Sequence, residues 1–188
     1  AVTFVTGRRV YTEEGTTMIT VHPTTLPGVL LIEPAVFEDF RGYYVETYNE
    51  DLYRSHGIPV KFVEDDFSIS TKHVLRGIHS DSEAWKMVSC FAGRFYLVVV
   101  NCDESSPNFG RWESFVLSAP SRTQVLIPPK HGVAHLVLSD STIFHYKQSA
   151  YFDPSRQTSY RWDDPRFNIW WPMRHPVLSP RDEAGRYV

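Results

Sequence analysis

The chain has 188 residues, 42% of them hydrophobic, 14% aromatic and 22% charged, with a formal net charge of −3. That length and apolar share suit one folded domain with a sizeable core and exclude native disorder. The slight acidity excludes a bulk basic field for nucleic acid, so any phosphate must be held by a local cluster of cations. Two cysteines, Cys90 and Cys102, make neither a disulfide framework nor a zinc motif. No apolar run approaches the roughly 18 residues of a membrane span, and no signal-like segment opens the chain. The expected location is therefore the cytoplasm, with neither membrane nor nucleic acid as partner.

The chain opens with Ala1, and Met18 precedes Ile-Thr-Val. Residues 1–25 are expected to form an N-terminal extension or arm, and residues 26–188 the folded domain. Within that domain, Val29-Leu30-Leu31-Ile32 and Tyr43 to Tyr48 predict strands. Asn49 to His56 predicts a short helix, with Asn49 as its N-cap and Gly57 as its stop. Trp85 to Val100 is a long apolar run broken at Ala92-Gly93, which reads as a hairpin turn. Phe115–Leu117, Gln124–Ile127, Ala134–Leu138 and Thr142–Tyr146 predict further strands, separated by Ser/Asn/Pro turns. Strands recurring at intervals of roughly ten residues with little helix predict an all-β fold, an antiparallel sandwich or barrel. A small barrel can enclose one ligand in its mouth.

Chemistry concentrates at Leu75-Arg76-Gly77-Ile78-His79, followed closely by Lys86. Imidazole moves protons near neutral pH, and arginine and lysine hold anions. Each residue also has a plain structural alternative. His79 can be a hydrogen-bonded strand end, and His135, inside an apolar run, a satisfied core histidine. Tyr146 can be a buried tyrosine or a proton donor, made more acidic by a neighbouring cation. Alternation makes it face away from His145. Asp182 can be a solvated charge near the chain end or the partner of an imidazole, with Asp163-Asp164 as competitors for that part. His131, after Pro128-Pro129-Lys130, is expected in a loop. A metal site from His79, Glu83 and His135 is chemically conceivable but lacks a second histidine beside His79. There is no P-loop, dinucleotide fingerprint or Gly-x-Ser-x-Gly elbow.

Phe37 to Glu46, Ser68-Ile69-Ser70, Leu75 to His79, Lys86-Met87-Val88, Ser106 to Gly110, Leu126 to Pro129, Tyr146, Trp162 to Pro165, Ile169 to Pro172 and Leu178 to Asp182, in this order, resemble the dTDP-4-dehydrorhamnose 3,5-epimerase family. The resemblance runs from about residue 26 to 184. It implies a mainly all-β, cupin-type jelly roll, a homodimer, and epimerisation at C3, C5 or both of a nucleotide-linked 4-keto-6-deoxy sugar without metal or cofactor. It implies His79 as base, Asp182 as its partner, Tyr146 as proton donor and Lys86 as oxyanion stabiliser. It assigns substrate contacts to Arg41, Glu46, Arg76, His135 and Arg181. The chain departs from the family where Glu64, Asp65 and Asp66 replace Gln-x-Asn. Carboxylates there are expected to repel a nucleotide diphosphate. Trp85 and Gln157 also depart, and the loop from His79 to Lys86 is short, as in the branch acting on GDP-linked sugars. The nucleotide therefore stays open between dTDP and GDP. The alternatives are a 3,4-ketoisomerase, a non-catalytic sugar-binding barrel and a metal-dependent cupin.

Overall fold

The computed structural model describes residues 2–3 and 19–188; most of the expected N-terminal arm lies outside the described residues. In chain order the strands are β1 (Val2–Thr3), β2 (Thr20–Pro23), β3 (Leu30–Glu33), β4 (Val36–Asp39), β5 (Gly42–Val45), β6 (Glu64–Thr71), β7 (Leu75–Asp81), β8 (Lys86–Ala92), β9 (Arg94–Asn101), β10 (Trp112–Ser118), β11 (Gln124–Ile127), β12 (His131–Val137), β13 (Ser141–Gln148) and β14 (Gln157–Ser159). Helix α1 (Glu50–Ser55) lies between β5 and β6, and α2 (Pro180–Glu183) near the C-terminus.

Two six-stranded sheets face each other, ordered β1-β10-β9-β12-β7-β14 and β2-β3-β11-β8-β13-β6. Apart from the β1–β10 pair, which is parallel, the pairs are antiparallel. The fold is thus the expected jelly roll. Leu97, Val99 and Phe115 of the first sheet meet Val88, Val125 and Phe144 of the second in one buried core. The outer face of the first sheet is covered by the C-terminal segment, where Ile169 and Trp171 pack over Tyr96, Val98 and Leu136. Helix α1 inserts Tyr53 against Met87 and Leu126 on the outer face of the second. Its cap is as expected: the Asn49 side chain accepts from Leu52 N–H, and Gly57 turns out of the helix with φ +83°.

Two expectations change. Ala92-Gly93 is no hairpin: β8 pairs with β11 and β13, whereas β9 pairs with β10 and β12. Gly93 is the corner at which the chain leaves one sheet for the other. Its φ is +74°, and a Cβ there would stand 2.1 Å from the Ser141 carbonyl oxygen, so only glycine makes this crossing. His131 is not a loop residue but the buried first residue of β12.

Strands β4 and β5 form a separate two-stranded hairpin outside both sheets. Among the described residues, no helix is long and apolar enough to cross a membrane.

Candidate active site

Residues of both sheets line a cavity of about 270 Å³, bordered by Val88, Val133 and Phe144 of the core. Arg76, His79, Lys86, His135, Tyr146, Arg181 and Asp182 all line it. The first sheet supplies Arg76 and His79 from β7 and His135 from β12. The second supplies Lys86 from β8 and Tyr146 from β13, and α2 brings Arg181 and Asp182. The imidazole and the phenol therefore come from opposing sheets.

Arg76 and His79 are three residues apart, so simple alternation would send them to opposite faces. A bulge prevents this. On β12, Val133 and His135 are two apart; their partners on β7 are His79 and Arg76, with the register shift between them. The extra residue on β7 re-aims both side chains to the cavity. Gly77 sits in the bulge with φ +113°, where a Cβ would lie 2.4 Å from the Val133 carbonyl oxygen.

His79 Nε2 is 2.7 Å from Asp182 Oδ1. The same oxygen accepts the Gly77 N–H at 3.1 Å, and Ser179 Oγ donates to Asp182 Oδ2 at 2.7 Å. Burial alone would push the Asp182 carboxyl up, but hydrogen bonds from His79, Ser179 and Gly77 outweigh it and hold the carboxyl below the usual range. His79 remains partly open, its side chain 25% exposed, whereas Asp182 is buried. Of the two competitors, Asp163 pairs with Arg161, and Asp164 accepts from the backbone of Arg166 and Val188. Glu83, the carboxylate of the metal alternative, pairs with Arg156 at 3.2 Å.

Lys86 Nζ stands 5.9 Å from the centre of the Tyr146 ring. Burial lowers the ammonium pKa, Asp81 opposes that shift, and Arg181 adds to it. A lysine so enclosed is a strong fixed charge for any oxyanion beside it. A nearby cation, Arg181, does pull the Tyr146 phenol down as expected, but stronger effects outweigh it. Burial and the carboxylates of Asp66 and Glu64 raise it to about 12, against a smaller opposing effect of Arg181. His135 stacks on Phe144 at 4.0 Å and 7°, with Nε2 buried and unpartnered. Burial, and then the charge of Arg76, push its pKa down to about 3, so it is neutral at physiological pH.

Arg41 and Glu46 are not brought to this cavity. Arg41 tips the β4–β5 hairpin, its side chain 77% exposed and paired with Asp39 at 2.6 Å. Glu46 follows that hairpin and keeps a buried, unpartnered Oε1. The hairpin belongs to neither main sheet, which is why its residues stand away from the cavity. Glu64 and Asp66 do not line the cavity themselves, but they pair across β6 and β13 with Gln148 and Tyr146, which do. Ser68, Gln148, Gln157 and Ser179 do line it without having been singled out for a role there. Ser68 and Gln148 follow from alternation along β6 and β13, a signal that becomes usable once the cavity face is known.

The family model for dTDP-4-dehydrorhamnose 3,5-epimerase matches residues 23–188. The enzyme of that name from Shigella flexneri is 38% identical over 167 residues, covering 87% of this chain and 92% of the relative. Among solved structures, the dTDP-6-deoxy-D-glucose-3,5-epimerase of Legionella pneumophila, in complex with dTDP-4-keto-L-rhamnose, superposes with a TM-score of 0.86 at 35% identity, covering 90% of this chain and 93% of that one. A 3′-monoepimerase from Streptomyces bikiniensis, in complex with dTDP-quinovose, gives 0.83 at 31% identity, covering 88% and 86%. With this fold, this cavity and these relatives, the chain belongs to the dTDP-4-dehydrorhamnose 3,5-epimerase family, whose members are isomerases.

Proposed function

We propose that this enzyme epimerises a dTDP-linked 4-keto-6-deoxy sugar by removing a proton from a carbon beside the carbonyl and returning one to the opposite face. The observation that carries the reading is that His79 and Tyr146 reach one cavity from opposing sheets. The 4-keto group acidifies the C–H bonds at C3 and C5. His79, oriented by Asp182, takes the proton. Lys86, aided by Arg76, stabilises the enolate oxygen, and Tyr146 delivers a proton from the other side. Acid–base catalysis of this kind supplies about 10²–10⁴-fold, and the fixed charges and positioning supply the rest. Arg76, His135 and Arg181 hold the sugar and its diphosphate. Neither metal nor cofactor enters this scheme.

The nucleotide we propose, dTDP, is the one held by the two solved relatives above. Inversion at C3 alone is the second reading, favoured by the likeness to the monoepimerase. We also place the reaction in the cytoplasm, a reading supported by two cysteines that are buried and unpaired.

The working unit in this reading is a homodimer. Strand β6 carries Phe67 and Ile69 outward at 66% and 60% exposure, with Phe91 beside them at 45%. Such a face suits burial against a second copy. Arg41 and Glu46, remote from their own cavity, would then contact substrate in the partner's.

Incubation with dTDP-4-keto-6-deoxyglucose in D₂O tests the reaction. Deuterium should enter at C3, C5 or both. His79→Ala should abolish uptake, whereas Tyr146→Phe should keep part of the uptake and lose inversion. An enzyme that exchanges no such proton overturns the reading. Mixing inactive Arg41→Ala and His79→Ala chains should restore activity if sites are shared between copies.

A further inference from the structure

Two amides line the cavity and have no part in the scheme above: Gln148 from the second sheet and Gln157 from the first. Each is backed by a carboxylate. Gln148 on β13 stands opposite Lys86 of β8 on one side and Glu64 of β6 on the other. Cross-strand partners project from the same face of a sheet, so ammonium, amide and carboxylate form one row. Gln148 Nε2 donates to Glu64 Oε1, and Glu64 Oε2 accepts the Phe152 N–H at 2.9 Å. On the edge strand β14, Gln157 stands opposite Asp81 of β7, and its Nε2 donates to Asp81 Oδ2. Asp81 is itself buried and fixed, its Oδ1 accepting the N–H groups of Glu83 and Ala84, both at 2.8 Å.

These anchors decide which way each amide points. A carboxylate only accepts, so it binds the NH₂ end of an amide and repels the carbonyl end. The carbonyl oxygens are left over. Among the described residues no donor reaches Gln148 Oε1 or Gln157 Oε1, and neither oxygen is sealed within the protein. The charged groups of the wall offer no alternative acceptor. Arg76, Lys86 and Arg181 only donate, and the Asp182 oxygens are taken by His79, Gly77 and Ser179.

We propose that Gln148 and Gln157 are specificity-determining residues that accept hydrogen bonds from the ring hydroxyls of the sugar. The inference rests on the epimerase reading above. A 4-keto-6-deoxy hexose bears two ring hydroxyls, at C2 and C3. Lys86 is assigned to the oxygen on C4, and Gln148 is its neighbour in the row. The hydroxyl next to C4 is the one on C3, so Gln148 takes it. Gln157, on the facing sheet, takes the one on C2. Neutral acceptors suit this task. A carboxylate in either place would oppose the negative charge that develops on the enolate oxygen, whereas an amide binds the hydroxyl without that penalty. A sugar that lacks the hydroxyl leaves a desolvated acceptor unpaired, and this cost discriminates against it.

The test reads deuterium exchange with dTDP-4-keto-6-deoxyglucose and with its 2-deoxy and 3-deoxy forms. Wild type should lose about 10–100-fold in kcat/KM for each missing hydroxyl. Gln148→Leu should lose the discrimination at C3 and keep that at C2, and Gln157→Leu should do the reverse. Comparing ratios between proteins cancels both a partial loss of folded enzyme and the altered C–H acidity of the deoxy sugars. Variants that keep both wild-type ratios overturn the proposal, and exchanged ratios overturn the assignment of each amide to its hydroxyl. A binding measurement separates this from the epimerase reading. dTDP-6-deoxyglucose has no 4-keto group and cannot react. Its Kd by calorimetry, compared with those of its 2-deoxy and 3-deoxy forms, should follow the same pattern, and equal Kd values in wild type overturn the proposal. Absence of exchange with any 4-keto sugar sinks the epimerase reading instead, while these Kd values still decide whether the amides read the hydroxyls.

Discussion

Asp182 Oδ1 reaches His79 Nε2 at 2.7 Å across a sequence separation of 103 residues. The aspartate is not free to choose this partner. Its own N–H bonds the Ser179 hydroxyl and carbonyl, and Ser179 Oγ returns a bond to Oδ2. The cap of α2 thereby aims the carboxylate before substrate arrives. With Nε2–H given to Asp182, Nδ1 is the ring nitrogen that carries the lone pair.

Asp182→Asn keeps that shape and removes the charge that supports an imidazolium. Turnover should fall by about 10²–10⁴-fold with KM little changed, because the effect falls on the proton-transfer step. Stability should respond as well. The folded carboxyl titrates below its ordinary 3.8, so its contribution is present above that value and lost as pH falls through the folded value. Unfolding curves should show wild type ahead of Asp182→Asn at neutral pH, with the gap closing in acid. Equal turnover by the two proteins would remove Asp182 from the mechanism.

Lys86→Met should separate charge from packing, since the methionine chain fills the same enclosed channel. The enolate oxygen would lose its fixed cation, and kcat should drop about 10²–10³-fold. Deuterium exchange should fall with it, because proton removal and return pass through the same anion. Loss of inversion with exchange intact would instead tie Lys86 to the Tyr146 step.

Much of this was legible in the residues and some of it could not be. The β-branched runs of β9 and β11 and the Asn49 cap of α1 declare themselves locally. Ala92-Gly93 misleads because a glycine between apolar runs fits a hairpin and a sheet-crossing corner equally well; the choice depends on partners far along the chain. His79, Tyr146 and Asp182 each had a plain structural alternative until three distant segments met at one cavity. Arg76 beside His79 contradicts alternation, and a bulge leaves no mark in sequence beyond Gly77. The pairing of Asp66 with Tyr146 is a matter of strand register over 80 residues of chain.

Gly77→Ala tests the bulge. The added methyl would meet the Val133 carbonyl oxygen and Ala134, at a φ that side chains rarely adopt. Destabilisation of about 2–4 kcal/mol is expected from the backbone strain and displaced pairing. Activity should fall further than stability explains, because the Gly77 N–H also helps hold Asp182. Chemical denaturation and exchange rates on the same sample would measure both. A stable, fully active variant would show that β7 tolerates another geometry.

His135 gives the stability curve a predictable tilt. In the fold its imidazole titrates at about 3, against an ordinary 6.5. Between those values the unfolded chain binds a proton that the folded cavity refuses. Its stabilising contribution is therefore complete above about pH 6.5 and lost as pH falls toward the folded value, by at most about 1.4 kcal/mol per pH unit. His131 and His145 are also held down by burial, and they tilt the wild-type curve in the same direction. The informative quantity is thus the difference between wild type and His135→Phe, whose ring can stack on Phe144 and lie tilted against Phe95 as the imidazole does. From pH 7 to pH 5 the variant should gain about 1–2 kcal/mol on wild type in urea denaturation. A constant difference would mean that His135 takes up its proton inside the fold, which would make it a cation for the diphosphate rather than a neutral wall of the cavity.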